Sequence, residues 1–153
     1  RLSMEQSLSG YKKISERYSG LTHFKNNVYF EIKDKGFARD YFGRIRWFPG
    51  IYSASQHQRE AAIREAINFH IQGPAASCIK IGMRKLWDNI HELGLDAHLL
   101  LQVHDEVILE VREDQLDSVI ELTQTMLDDV MPISFPIEPE VGKVWSEMTP
   151  YKF

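Results

Sequence analysis

Apolar residues recur along this chain at spacings that define most of its elements. Met4, Leu8, Tyr11, Ile14 and Tyr18 stand three or four residues apart, the stripe of an amphipathic helix, and predict one that ends near Gly20. A second helix is expected over about Thr22 to Lys35, stopped by Gly36. The stretch Phe37 to Ser55 mixes aromatics and arginines with Gly43, Pro49 and Gly50, which predicts short strands and loops. From Gln56 to Phe69 another helix is expected, and Gly73-Pro74 then predicts a break, with an N-cap and a first-turn proline for a fresh start. The new helix has the most regular stripe in the chain, Ala76, Ile79, Met83, Leu86, Ile90 and Leu93, and is closed by Gly94.

Two β-rich runs follow, Ala97 to Val103 and Val107 to Val111, separated only by His104, Asp105 and Glu106. They predict a hairpin with acids at its tip. Leu116, Val119, Ile120, Met126, Leu127 and Val130 predict a helix from about Glu113 to Val130, opened by acids that suit its dipole and stopped by Pro132. Ile137 and Val141 alternate with Glu138 and Glu140 in a last strand that Pro139 confines to a sheet edge. Helices, a hairpin, a helix and a strand in that order predict an α+β fold, an antiparallel sheet with helices packed on one face.

At 153 residues and 43% apolar, the chain can bury one core and predicts one domain or part of one. No run of eighteen apolar residues occurs and the first residues lack a signal-peptide pattern, which predicts a soluble intracellular protein with no membrane partner. Cys78 stands alone among apolar residues and reads as a small core residue rather than a disulfide or zinc partner. The net charge of −4 conceals a division. Residues 1–60 carry 11 Lys/Arg against 6 Asp/Glu, whereas residues 96–153 carry 3 against 13. A basic half that can meet a polyanion and an acidic half that can hold cations are what this split predicts, although a solvated acidic helix accounts for it equally well.

The hairpin tip is where chemistry is expected. Carboxylates at the junction of two strands are held in place, so Asp105 and Glu106 are candidate ligands for magnesium, whose preference is for hard oxygen donors. Two-metal phosphoryl transfer needs such acids around cations about 4 Å apart. Turns also favour Asp on their own account, and His104 beside it is as readily a surface hydrogen-bonding residue.

Four blocks in order carry a resemblance. Gln102-Val103-His104-Asp105-Glu106-Val107 resembles the third signature motif of family A DNA polymerases, the bacterial polymerase I group. Upstream, Arg64 through Asn68 to Gln72-Gly73-Pro74-Ala75-Ala76 is similar to the helix ahead of that motif, and Phe42-Gly43-Arg44-Ile45-Arg46 to a basic loop. Downstream, Pro136 to Gly142 with Trp145 is similar to the family's final strand and tail. The match is close from about Phe37 to Trp145. It departs from the usual pattern at Ile45 in place of an arginine, Pro74 in place of threonine, His70 in place of proline and Ser77 in place of an acid.

The resemblance implies a template-directed DNA polymerase, a nucleotidyltransferase that adds deoxynucleotides to a primer 3′ end with two magnesium ions. It implies the end of the fingers subdomain over residues 1–42, with Arg1 just past the nucleotide-gripping helix, and the C-terminal portion of the palm, with its antiparallel sheet, over 43–153. Asp105 is then the main metal ligand and Glu106 an auxiliary one. His104 lies near the primer terminus, Arg64, Asn68 and Gln72 touch the minor groove, where every base pair offers an acceptor, and Arg44 and Arg46 meet phosphate. Spacings of four put Arg64, Asn68 and Gln72 on one helix face, with Gln72 made terminal by the expected break.

The implied partners are primer-template DNA, deoxynucleoside triphosphates and an N-terminal remainder, in the same chain or a separate subunit. That remainder carries the other metal-binding Asp, so the chain is expected to be inactive alone. The implied location is the cytoplasm of a bacterial or phage-infected cell, with an organelle also open. Two other classes remain: a non-catalytic nucleic-acid-binding palm module, and a magnesium-dependent nuclease, which wants more clustered acids than the sequence offers.

Overall fold

Ser3 opens the first helix. Its hydroxyl accepts from the Gln6 amide and the Gln6 side chain accepts in return from the Ser3 amide, so two of the orphaned N–H groups at the start of α1 (Met4–Arg17) are paired. The computed structural model describes residues 3–151, and Arg1 lies outside them. The expected apolar stripe of α1 forms but is not buried: exposure runs from 54% at Ile14 to 77% at Met4. Nor does α1 reach Gly20. Tyr18, at φ −116° and ψ 57°, turns the chain straight into α2 (Ser19–Lys35), which leaves Gly20 inside the next helix. Gly36 ends α2 at φ +75°, a left-handed position that suits glycine, and its N–H bonds the Ile32 carbonyl.

The chain divides into two compact units, Arg1–Pro74 and Ala75–Phe153. In the first, β1 (Phe37–Arg39) pairs antiparallel with β2 (Ile45–Trp47), and a 3-10 turn follows over Pro49–Tyr52. Its core joins Val28 and Ile32 of α2, Ala38, Phe48 and Ile51 to Ala62, Ala66 and Phe69 of α3 (Gln56–Glu92). The strands and loops expected over Phe37 to Ser55 are therefore present. The break expected at Gly73-Pro74 is absent, because α3 runs unbroken through Pro74. A mid-helix proline removes the one N–H that would reach the His70 carbonyl and costs about 3 kcal/mol. Burial of Ala66 and Phe69 before it, and of Cys78, Leu86 and Ile90 after it, offsets that cost.

In the second unit the expected hairpin forms from β3 (Ala97–Val103) and β4 (Glu106–Val111), with Leu100 as the extra residue where the register shifts between Leu99 and Leu101. One face, with Ala97, Leu99, Val107, Leu109 and Val111, packs with Leu86 and Ile90 of α3 and with Val119 of α4 (Leu116–Thr125). His98 and Glu110 remain exposed. This is the α+β arrangement of helices on one sheet face. The sheet is smaller than expected, however: the strands form three separate antiparallel pairs, the last being β5 (Glu140–Val141) with β6 (Thr149–Pro150).

Helix α4 is also shorter than its apolar pattern. It ends at Thr125, whose hydroxyl bonds the Glu121 and Leu122 carbonyls, and the chain leaves through i,i+3 bonds from Asp128 to Thr125 and from Val130 to Leu127. Met126 and Leu127 are buried from this turn rather than from a helix. Cys78 is 2% exposed, as its apolar setting predicted, and burial pushes its thiol pKa up, away from reactivity.

Candidate functional site

Val103 pairs with Glu106, so the hairpin tip is a two-residue turn of His104 and Asp105, and Glu106 is the first residue of β4 rather than part of the turn. His104 takes φ +55°, and Gln102 Nε2 donates to its carbonyl at 3.1 Å. His104, Asp105 and Glu106 are all exposed. Among the described residues neither carboxylate has a hydrogen-bond or ion-pair partner, in contrast to Asp88 with Arg84 or Asp114 with Arg112. An acid without an internal partner is available to something outside the protein. Among the same residues no group of three or more His, Cys, Asp or Glu side chains is gathered where a metal could sit. Among the described residues Asp105 and Glu106 thus offer hard oxygen donors but not a full ligand set.

In the first unit Arg64, Asn68 and Gln72 are exposed on the continuous part of α3, and Gln72 is not terminal. Three residues at steps of four span roughly 80° of a helix, so they share one face. Among the described residues none of the three has a side-chain partner. Their neighbours do: Arg59 donates to the Ser53 and Ala54 carbonyls, Glu65 takes Arg46, and His70 Nε2 lies 3.0 Å from Glu31 Oε2. The last pair ties α3 to α2.

The basic loop between β1 and β2 is a tight turn built on Asp40. Oδ1 of Asp40 accepts from the amides of Phe42 at 3.0 Å and Arg44 at 2.8 Å, the Asp40 and Arg44 backbones bond at 2.9 Å, and Gly43 sits at φ +85°. Arg44 Nη2 donates to the Gly73 carbonyl at 2.9 Å, its Nε lies 3.3 Å from Asp40 Oδ2, and its guanidinium stands 6.0 Å from the centre of the Phe69 ring. Arg46 donates to Glu65 at 2.9 Å and lies over Phe48 at 5.3 Å. Of the surrounding cations, Lys35 faces Glu31 at 3.9 Å and Arg39 donates to the Gly43 carbonyl at 2.9 Å. Asp40 escapes the motif-based reading. Its only sequence signal is an acid three residues before a turn glycine, a common turn pattern.

Comparison with known proteins decides the lineage. The family described as DNA polymerase family A matches residues 1–147. The chain belongs to DNA polymerase family A. Within the family it is 43% identical over 112 residues to thermostable DNA polymerase I of Thermus filiformis, covering 73% of this chain and 13% of that protein. To DNA polymerase I of Pseudomonas aeruginosa it is 37% identical over 133 residues, covering 86% and 15%. Its fold superposes on the POL domain of Pol1 from M. smegmatis, solved in complex with DNA primer-template and dNTP, with a TM-score of 0.83 and 31% identity over 90% of this chain and 24% of that one. The matched part of the chain therefore spans about one seventh of the two polymerase I proteins and about a quarter of the solved POL domain. No helix among the described residues is long and apolar enough to cross a membrane.

Proposed function

We propose that this chain is the C-terminal part of a template-directed DNA polymerase, extending a primer 3′ end with deoxynucleotides once it is joined to the N-terminal remainder. Residues 1–42 close the fingers and 43–153 form the C-terminal palm. The observation that carries this is the pair of exposed carboxylates, Asp105 in the turn and Glu106 at the start of β4 of a family A hairpin, neither with a partner among the described residues. Carboxylate oxygens suit magnesium, and two of them fit a shared site to which the remainder contributes its own Asp. Bound magnesium would supply charge neutralisation on the transferring phosphoryl group.

The chain's own residues bind and orient. Asp105 would hold the metal directly, with Glu106 assisting it. His104, in the turn, presents an imidazole N–H to the primer terminus. Arg64, Asn68 and Gln72 present donors to minor-groove acceptors that occur at every base pair, which tests pair shape without selecting sequence. Arg44 and Arg46 meet the backbone with an energy that falls as salt rises. Such a protein works where DNA is copied, in the cytoplasm of a bacterial or phage-infected cell.

Primer extension by the chain alone, and by the chain mixed with its N-terminal remainder, tests this. We expect no incorporation alone, incorporation in the complex with magnesium, and a loss of about a thousandfold or more on Asp105→Ala, since a metal's contribution is several kcal/mol. Glu106→Ala should cost about ten- to a hundredfold. Undiminished extension by the Asp105→Ala complex would refute the metal assignment.

A further inference from the structure

We propose that Asp40 is a positioning residue that acts through Arg44, fixing its guanidinium against α3 so that one edge is presented to DNA; this rests on Arg44 being a DNA contact. Asp40 is the one buried charged residue among those described, with its side chain fully enclosed. Buried charge is retained only where it is compensated. Oδ1 is taken up by the Phe42 and Arg44 amides, whereas Oδ2 has no hydrogen-bond partner and is faced only by Arg44 Nε at 3.3 Å. Arg44 is in turn held by the Gly73 carbonyl through Nη2 at 2.9 Å. Of its guanidinium nitrogens Nη1 alone has no partner among the described residues, and the side chain stays 45% exposed. A free arginine would lose rotamer freedom on meeting a ligand, and one clamped on two sides has already lost it.

Gly73 completes the clamp. A β-carbon there would lie 3.2 Å from Asp40 Oδ2 and 3.3 Å from Arg44 Nη2, tighter than ordinary packing. The loop carboxylate, the loop arginine and the α3 backbone therefore interlock at a residue with no side chain. Removing the carboxylate charge, or adding one methyl group at Gly73, should free the guanidinium by separate routes.

The test is binding of the 153-residue chain to a fluorescein-labelled primer-template duplex, read by anisotropy for Asp40→Asn, Gly73→Ala and Arg44→Ala and for the first two combined with Arg44→Ala. Asparagine keeps an acceptor for the loop amides while losing the charge. We expect Asp40→Asn and Gly73→Ala each to weaken binding roughly five- to tenfold, the worth of one contact, and neither to weaken it further once Arg44 is alanine. A merely structural role moves binding by the same factor in both backgrounds, and that result overturns the proposal. So does unchanged affinity for Asp40→Asn where Arg44→Ala is weakened. Should Asp40→Asn fail to fold, Gly73→Ala decides, because alanine is the better helix former and its tight contacts are with Asp40 and Arg44, Phe69 standing at an ordinary 3.5 Å. Unchanged binding by Arg44→Ala refutes Arg44 as a DNA contact and this proposal with it, while leaving the metal assignment to Asp105 untouched.

Discussion

His104 carries its backbone at φ +55°, where a β-carbon crowds the following carbonyl at about 1–2 kcal/mol. Strain of this kind persists where the side chain is needed, and here it lies between a paired strand residue and the exposed Asp105. His104→Gly should therefore stabilise the chain by roughly 0.5–1 kcal/mol after the entropy cost of glycine. That would appear as a higher urea midpoint at unchanged slope. The same variant in the reconstituted polymerase should raise KM for primer-template. A lower urea midpoint would show that the histidine is structural. Of the candidate site residues, those at the hairpin turn have a position that is legible in sequence because two apolar runs frame them. The exception is the assignment of Glu106 to the turn, since only the Val103–Glu106 pairing shows where the strand begins. Asp40 is not legible, because its burial depends on Gly73, far away in the sequence, and on no local pattern.

Glycines inside helices show how packing decides at the scale of an element. A β-carbon at Gly82 of α3 would lie 2.6 Å from Leu127 Cδ2 and 3.3 Å from the Met126 carbonyl, whereas at Gly10 of α1 nothing stands within 4 Å. Gly82→Ala should lower stability by about 1–3 kcal/mol despite the better helix propensity, through overpacking. Gly10→Ala should raise it by about 0.5–1 kcal/mol. Opposite shifts in melting temperature check the pair, and a gain from Gly82→Ala would mean that Leu127 can move aside. The same competition explains which boundaries the sequence concealed. Pro74 reads locally as a break, but Phe69 and Cys78 are buried on either side of it and the helix continues. Met126 and Leu127 extend the apolar period of α4, yet they are buried from a turn, because Thr125 and the left-handed Asp129 at φ +59° take the backbone out of the helix. Spacing reports which side chains are buried, and hydrogen bonds decide the backbone that buries them.

At the scale of the molecule, the stripe of α1 is the feature that its own chain does not account for. Met4, Leu8, Tyr11, Ile14 and Tyr18 keep helical spacing, yet each is more than half exposed. An ordered apolar face of that kind marks a surface that meets a partner, and the matched part of this chain covers only 13% and 15% of two family A relatives. We propose that the N-terminal remainder of the polymerase covers it. Leu8 is 63% exposed, so Leu8→Glu should change the melting of the isolated chain by less than about 0.5 kcal/mol. Burying a leucine is worth about 1.5–3 kcal/mol, so the same change should weaken association with the remainder about tenfold or more. Titrating the remainder into a fixed amount of chain, with primer extension as the readout, measures that affinity directly. The curve should shift to higher concentration and still reach the same plateau, because Leu8 lies outside the residues proposed to meet DNA or metal. An unshifted curve would remove α1 from the joint, and a lowered plateau would mean that the stripe shapes the active complex rather than holding it together.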